Sequence, residues 1–238
     1  MGLRAFDIAL VGLMAAVYAA VTLLPGFPVI GAPGTDIDLA RSLDVGYGLI
    51  LGIALGPLAS FMGSFVGKAL TGGGIGFLFT PPAIATSLLA AFLAREKVGP
   101  VKGWHLAAAT LALPMAAWFL LPLGREAWTY ALLHAVGLVE ILVLGGRITG
   151  LLKSRERGKL TLGIFLASYP ATMAGHMVGT IIFAIVLGPT AGFFIALTPI
   201  TAIERVVISL IATAIGVPLV VAMRGMGRVR GAAHSGGA

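Results

Sequence analysis

The sequence predicts an all-α, polytopic transmembrane helix bundle in a single domain, with about eight helices and seven as the alternative. Three observations carry this. Hydrophobic residues make up 58% of the 238 and charged residues only 11%, too little polar surface to cover a water-soluble globule. Apolar runs of spanning length recur along the chain. The basic residues behind the net charge of +7 collect in short clusters between those runs, as orientation signals do, so nucleic acid is not an expected partner and the lipid bilayer is.

The runs fall at about residues 5–24, 45–70, 77–94, 105–121, 128–152, 160–187 and 200–223. At about 1.5 Å per residue, most can cross a hydrocarbon core of about 30 Å. Arg4 followed by Ile8 to Leu24 has the outline of a signal peptide, but Pro25-Gly26-Phe27-Pro28 offers no small-x-small cleavage site, so a retained helix is expected. The second run contains Gly56-Pro57. It is either one tilted span or two short helices folded back at the proline, which lacks the donor that continues a helix. Halves of about a dozen residues cannot cross unaided and need shielding by neighbouring helices.

Lys and Arg set the orientation. Arg95, Lys97 and Lys102 form one cluster, Arg147, Lys153, Arg155, Arg157 and Lys159 a second, and Arg224, Arg228 and Arg230 a third in a flexible tail over 224–238. Pairs of spans separate the clusters, which places all three in the cytoplasm of a multi-pass protein of the cell membrane. The loops around Arg125 and Glu126, after Lys68, and over 188–197 are then external. With a turn at Gly56-Pro57 there are eight helices and Arg4 is cytoplasmic; without it there are seven, and Arg4 and Arg41 exchange sides. Charge does not choose between them.

Thr80-Pro81 and Thr198-Pro199 each read as a Thr N-cap with Pro in the first turn, aiming a positive helix end at the external face. Glu140, His176, Glu204 and Arg205 lie within apolar runs, where ionisable groups are costly and usually face a partner or the bundle interior. Glu204 and Arg205 are expected near the external interface, His176 packs among small residues, and spacing allows Glu140 to pair with His134. No nucleotide-binding Gly-x-x-x-x-Gly-Lys-Ser/Thr, no His-Glu-x-x-His and no Gly-x-Ser-x-Gly occurs, so no ATPase, metalloprotease or lipase chemistry is expected. No metal, cofactor or enzymatic activity is expected, and the absence of Cys excludes disulfides and thiolate sites.

The segments L-A-R-S-L-D-V-G-Y-G-L-I-L-G-I-A-L-G-P-L-A-S-F-M-G-S-F-V-G-K and T-P-P-A-I-A-T-S-L-L-A-A-F-L-A, preceded by the Ala-rich D-I-A-L-V-G-L-M-A-A-V-Y-A-A-V-T-L-L, resemble the substrate-binding S component of energy-coupling-factor (ECF) vitamin transporters. Ser60 departs from the usual small Gly. The resemblance extends to the last helices, from Gly175-His176 through the Pro-initiated P-I-T-A-I-E-R-V-V-I-S-L-I-A-T-A-I-G-V-P-L. It implies a six-helix core over 1–95 and 160–223, a helix turn at Gly56-Pro57, a cytoplasmic N-terminus, and an inserted helical pair at 104–152.

It further implies a subunit that captures a small water-soluble vitamin or related metabolite for a transmembrane coupling subunit and ATPase subunits; a self-sufficient permease or channel is the alternative. The metal-specific versions of such subunits resemble proteins with an N-terminal metal-binding His, and Met1-Gly2-Leu3-Arg4 departs from that. Under the split topology, Arg41, Asp44, Lys68, Thr80 and His176 gather around one external cavity, with 31–42 as its lid. Gly12, Ala15, Ala16, Ala19 and Ala20 make a smooth strip on the first helix. The resemblance makes that strip, centred on Ala15 and Ala19, the docking face for the coupling subunit.

Overall fold

The computed structural model describes residues 5–28, 36–37 and 39–226. Among these residues it is an all-α bundle of eight helices: α1 (Ala5–Thr22), α2 (Leu43–Leu70), α3 (Pro81–Leu93), α4 (Gly103–Leu120), the short α5 (Pro122–Glu126), α6 (Ala131–Lys153), α7 (Arg157–Leu187) and α8 (Ala191–Gly225). Seven helical segments among the described residues are long and apolar enough to cross a membrane. Among the described residues, strands are confined to two pairs of two-residue strands, Phe27–Pro28 with Asp36–Ile37 and Lys97–Val98 with Val101–Lys102.

The run with two possible readings is broken. Gly52 in α2 has φ 78° and ψ −164°, a backbone region open essentially to glycine alone. The chain reverses there. A Cβ on Gly56 would lie 3.0 Å from the Gly48 Cα and 2.8 Å from the Tyr47 carbonyl oxygen, whereas residues eight apart on a continuous helix are separated by about 12 Å. The second run therefore makes two passes, through a 43–51 arm and a 53–70 arm.

The turn expected at Gly56-Pro57 is corrected to Gly52, four residues earlier. A sharp reversal needs the positive φ that glycine supplies, and Pro57 sits near the start of the second arm, where a missing donor is tolerated best. Gly56 instead lets the arms close on each other and on the Ser87 hydroxyl, 2.9 Å from the would-be Cβ. Residues 43–51 are buried on every side, the shielding that a helix this short requires in lipid. Tyr47 anchors the arm by donating its hydroxyl to the Met14 carbonyl at 2.7 Å.

Contacts fix the directions. Gly63 abuts Tyr18 and Gly67 abuts Thr22, so α1 and the 53–70 arm run parallel. The Gly52 break lies beside Arg95, whose Nη2 is 3.1 Å from the would-be Cβ. Thr149 donates to the Leu93 carbonyl at 2.8 Å, tying α6 to the end of α3. Lys153 pairs with Glu96 at 2.6 Å, and Arg224 donates to the carbonyls of Ser154 (2.7 Å) and Leu152. The break in α2, the ends of α3, α6 and α8, and hence the starts of α1, α4 and α7 share one basic end. Among the described residues, eight helical segments, counting the two arms of α2 separately and leaving out the short α5, alternate in direction from it.

The other expected helix starts change in detail. Thr190 caps α8, accepting from the Phe193 N–H at 3.4 Å, so Thr198-Pro199 falls inside the helix. The Thr198 hydroxyl donates back to Phe194 at 3.2 Å. α3 does begin at Pro81, but Thr80 has helical φ/ψ and donates to the Phe77 carbonyl at 2.9 Å; a hydroxyl turned backward cannot accept from the first turn. α4 and α6, from the span read as an inserted pair, pack against α3 and α7.

Candidate functional site

The polar side chains collect far from the basic end. His134 precedes Lys153 by 19 residues, Arg205 precedes Arg224 by 19, and His176 follows Lys159 by 17. At the helical rise these groups stand about 25 to 29 Å from the basic rim. They therefore meet at the opposite end of the hydrocarbon thickness, inside the bundle.

A chain of hydrogen-bonding groups crosses three helices there. Thr201 (α8) lies 3.4 Å from the Tyr130 hydroxyl, at the start of α6. The same hydroxyl is 3.3 Å from His176 Nε2 in α7. His176 Nδ1 is 3.1 Å from His134 Nε2, and the two imidazoles stack with centroids 5.2 Å apart and planes 9° apart. Two ring nitrogens at that distance share one hydrogen, so the tautomer of one histidine sets that of the other. Tyr130 and His134 are i and i+4 on the same face of α6. Phe194 packs against Tyr130 at 5.3 Å and against Trp118 at 5.1 Å, walling the cluster with aromatic rings.

Arg205 stands behind this chain, only 8% exposed. Tyr130, Tyr169, Glu204 and Arg41 lie within its electrostatic reach. Glu204 and Arg205 thus lie far from the basic end, and Arg205 is covered. His134 is engaged by His176 and not by Glu140, because residues six apart on a helix point about 120° away from each other.

Of the residues expected to share a cavity, three lie near the start of α3. Arg41 donates through Nη2 to the Phe79 carbonyl, just before Thr80, and Thr80 is buried. Gly175, which precedes His176, closes on the first turns of α3: a Cβ there would lie 2.6 Å from the Pro82 carbonyl oxygen and 2.1 Å from the Thr86 hydroxyl. Arg41, Thr80 and His176 therefore sit at one end of the bundle around the start of α3. Lys68 lays its stem along Gly76, its Cδ 3.3 Å from the would-be Cβ. Asp44 lies a turn deeper in α2 and is fully buried. The 31–42 lid lies largely outside the described residues, as do Arg4 and the tail from 227.

The small-residue strip of α1 divides. Ala15 and Ala19 are buried, at 6% and 3% exposure, against the 53–70 arm. Gly12, Ala16 and Ala20 face outward. A docking centre at Ala15 and Ala19 is thereby corrected, because this chain already covers them; the open part of the strip is the adjoining Gly12–Ala16–Ala20 line, four residues apart on one face.

Sequence reasoning missed Tyr130 and Thr201 and gave His134 the wrong partner. Only the i, i+4 spacing of Tyr130 and His134 carried a signal, and it named no partner helix. A recess of about 610 Å³ at the basic end is lined by Arg147, Lys153 and Lys159, but Lys153 pairs with Glu96 and Lys159 with Glu156 at 2.7 Å. It is a solvated rim with its lysines already matched. Among the described residues, no group of three or more His, Asp or Glu is placed to hold a metal.

No protein-family model matches the chain, and no solved structure matches it. Over 167 residues, 68% of this chain, it is 26% identical to an uncharacterized protein of Methanocaldococcus jannaschii, and the match covers 54% of that protein. The chain spans about half the length of the curated relative it matches. Fold, span count and interior polar cluster together describe a multi-pass, helical membrane-spanning protein consistent with a transport role in general.

Proposed function

We propose that this chain is a membrane-embedded substrate-binding subunit that captures a small water-soluble metabolite of vitamin-like size at the external face. The observation that carries the reading is the Thr201–Tyr130–His176–His134 chain with Arg205 behind it, contributed by α6, α7 and α8. Interior polar groups are costly in a membrane bundle and usually mark a ligand or solute path. Assigning the basic end to the cytoplasm follows the positive-inside rule and turns the cluster outward. The chain performs no chemistry in this reading; it binds and releases.

Uptake then needs a transmembrane coupling subunit and ATPases, in line with the resemblance to ECF S components and with six passes outside the α4–α6 pair. The competing reading is a self-sufficient permease, favoured by the broken α2, since discontinuous helices also build secondary-transporter sites. Reconstitution in liposomes separates the two. Solute accumulation only with the coupling module and ATP supports the binding subunit; accumulation by the chain alone, driven by an ion gradient, supports the permease. The absence of both binding and uptake would remove the proposal.

A further inference from the structure

We infer that the captured molecule is an organic anion and that Arg205 is the group that recognises its carboxylate or phosphate. The inference rests on the binding reading above and names the substrate class of that same site. It starts from what Arg205 lacks. Its Nε is buried with no hydrogen-bond partner, and neither terminal nitrogen donates a hydrogen bond to a described residue. The nearest carboxylate, Glu204, approaches Nη2 only to 3.7 Å.

Sequence neighbours on a helix do not face each other, so Glu204 cannot grip the guanidinium in the two-pronged geometry that a carboxylate otherwise offers. Two other arginines of the bundle behave differently. Arg224 donates to two backbone carbonyls and Arg41 to one. Among the described residues, Arg205 is the buried arginine, and its Nε has no hydrogen-bond partner.

A bound anion would give the buried guanidinium the acceptors that Glu204, its neighbour in sequence, is not placed to supply. The adjoining groups suit the rest of such a molecule. Tyr130 and His176 offer hydrogen bonds, and Phe194 and Trp118 supply flat apolar surface. The geometry therefore selects a small acid, preferably one with a planar ring, whose charged group is held by Arg205.

The test uses the full-length protein in nanodiscs and a matched pair of probes, benzoate and benzamide, with phenylphosphonate as the phosphate analogue. Thermal stabilisation is measured at millimolar probe. Wild type is expected to respond to both acids and not to the amide. Arg205→Gln should lose the acid response, with affinity falling about tenfold or more, the scale of a lost charge-assisted contact. Glu204→Gln should strengthen it, because removing the competing carboxylate leaves the cation less satisfied; a merely structural Arg205–Glu204 pair would instead give no acid response in any of the three proteins.

Repeating the series with and without phosphatidylglycerol distinguishes a soluble acid from a lipid head group, and stabilisation that follows the lipid and ignores the acids overturns the inference. So does an equal response to acid and amide, or no acid response. Capture of a neutral solute with equal affinity by wild type and Arg205→Gln would overturn the anion assignment while leaving the binding function standing.

Discussion

Replacing Gly52 by alanine tests the folded-back second helix, on which the eight-pass topology depends. The native conformation, φ 78° and ψ −164°, belongs to a region that residues with a Cβ populate at a cost of about 1 to 3 kcal/mol. The added methyl also meets Arg95, whose Nη2 stands 3.1 Å away; an arginine tip can shift, so this contributes little beyond the backbone term. The expected loss is therefore about 1 to 3 kcal/mol. Gly146→Ala is the control, because nothing lies within 4 Å of its would-be Cβ in the middle of α6, and an alanine in a helix interior is neutral or stabilising by up to about 1 kcal/mol. Unfolding of purified protein in mixed micelles with increasing sodium dodecyl sulfate gives both free energies on one scale. Equal stability of Gly52→Ala and Gly146→Ala would mean that the chain does not reverse at Gly52, and the eight-pass account would fall with it.

Two further outcomes follow from the same contacts. Ala19→Trp should destabilise the fold by about 1 to 3 kcal/mol or more, as overpacking does, whereas Ala16→Trp on the outward line should leave unfolding and solute binding unchanged and reduce uptake only in the presence of the coupling module; an Ala16→Trp protein with full coupled uptake removes that line as a docking face. Glu96 is held below the usual carboxylate range first by its hydrogen bond from Lys153 and then by that cation's charge. A lowered folded-state pKa gives a contribution that is present above the unfolded value and lost as pH falls through the folded one. Glu96→Gln should therefore be slightly less stable than wild type at neutral pH, the effect being small because the pair is exposed, and the difference should vanish as pH falls through the folded-state value; a difference confined to the acid side would contradict the pairing.

The spans were legible in the sequence because they are set by bulk apolar length and by the placement of Lys and Arg. Glycine spacing was informative but indirect. Gly52 and Gly56 both appear in G-I-A-L-G-P, and the proline drew the turn to the wrong one; only the backbone angles separate a residue needed for reversal from one needed for close approach. The strip on α1 was visible as small residues, yet which half faces inward depends on Gly63 and Gly67, more than forty residues away in sequence. The polar cluster was the least legible part. His134 and His176 are separated by 42 residues, and nothing local in either helix encodes a stack across α6 and α7. Arg205 looked like one half of an interfacial pair because Glu204 is its neighbour, and adjacency in sequence is poor evidence of pairing on a helix.

The central claim is that the cluster behind Tyr130 and His176 holds a solute. Mass spectrometry of the small molecules released when the purified protein is denatured tests it most directly. The account predicts one polar, acidic metabolite near one equivalent per chain, absent when Tyr130 and His176 are both replaced by large apolar residues in a protein that still elutes as folded. Release of lipid and detergent alone, or the same metabolite at the same occupancy from that double variant, would contradict it.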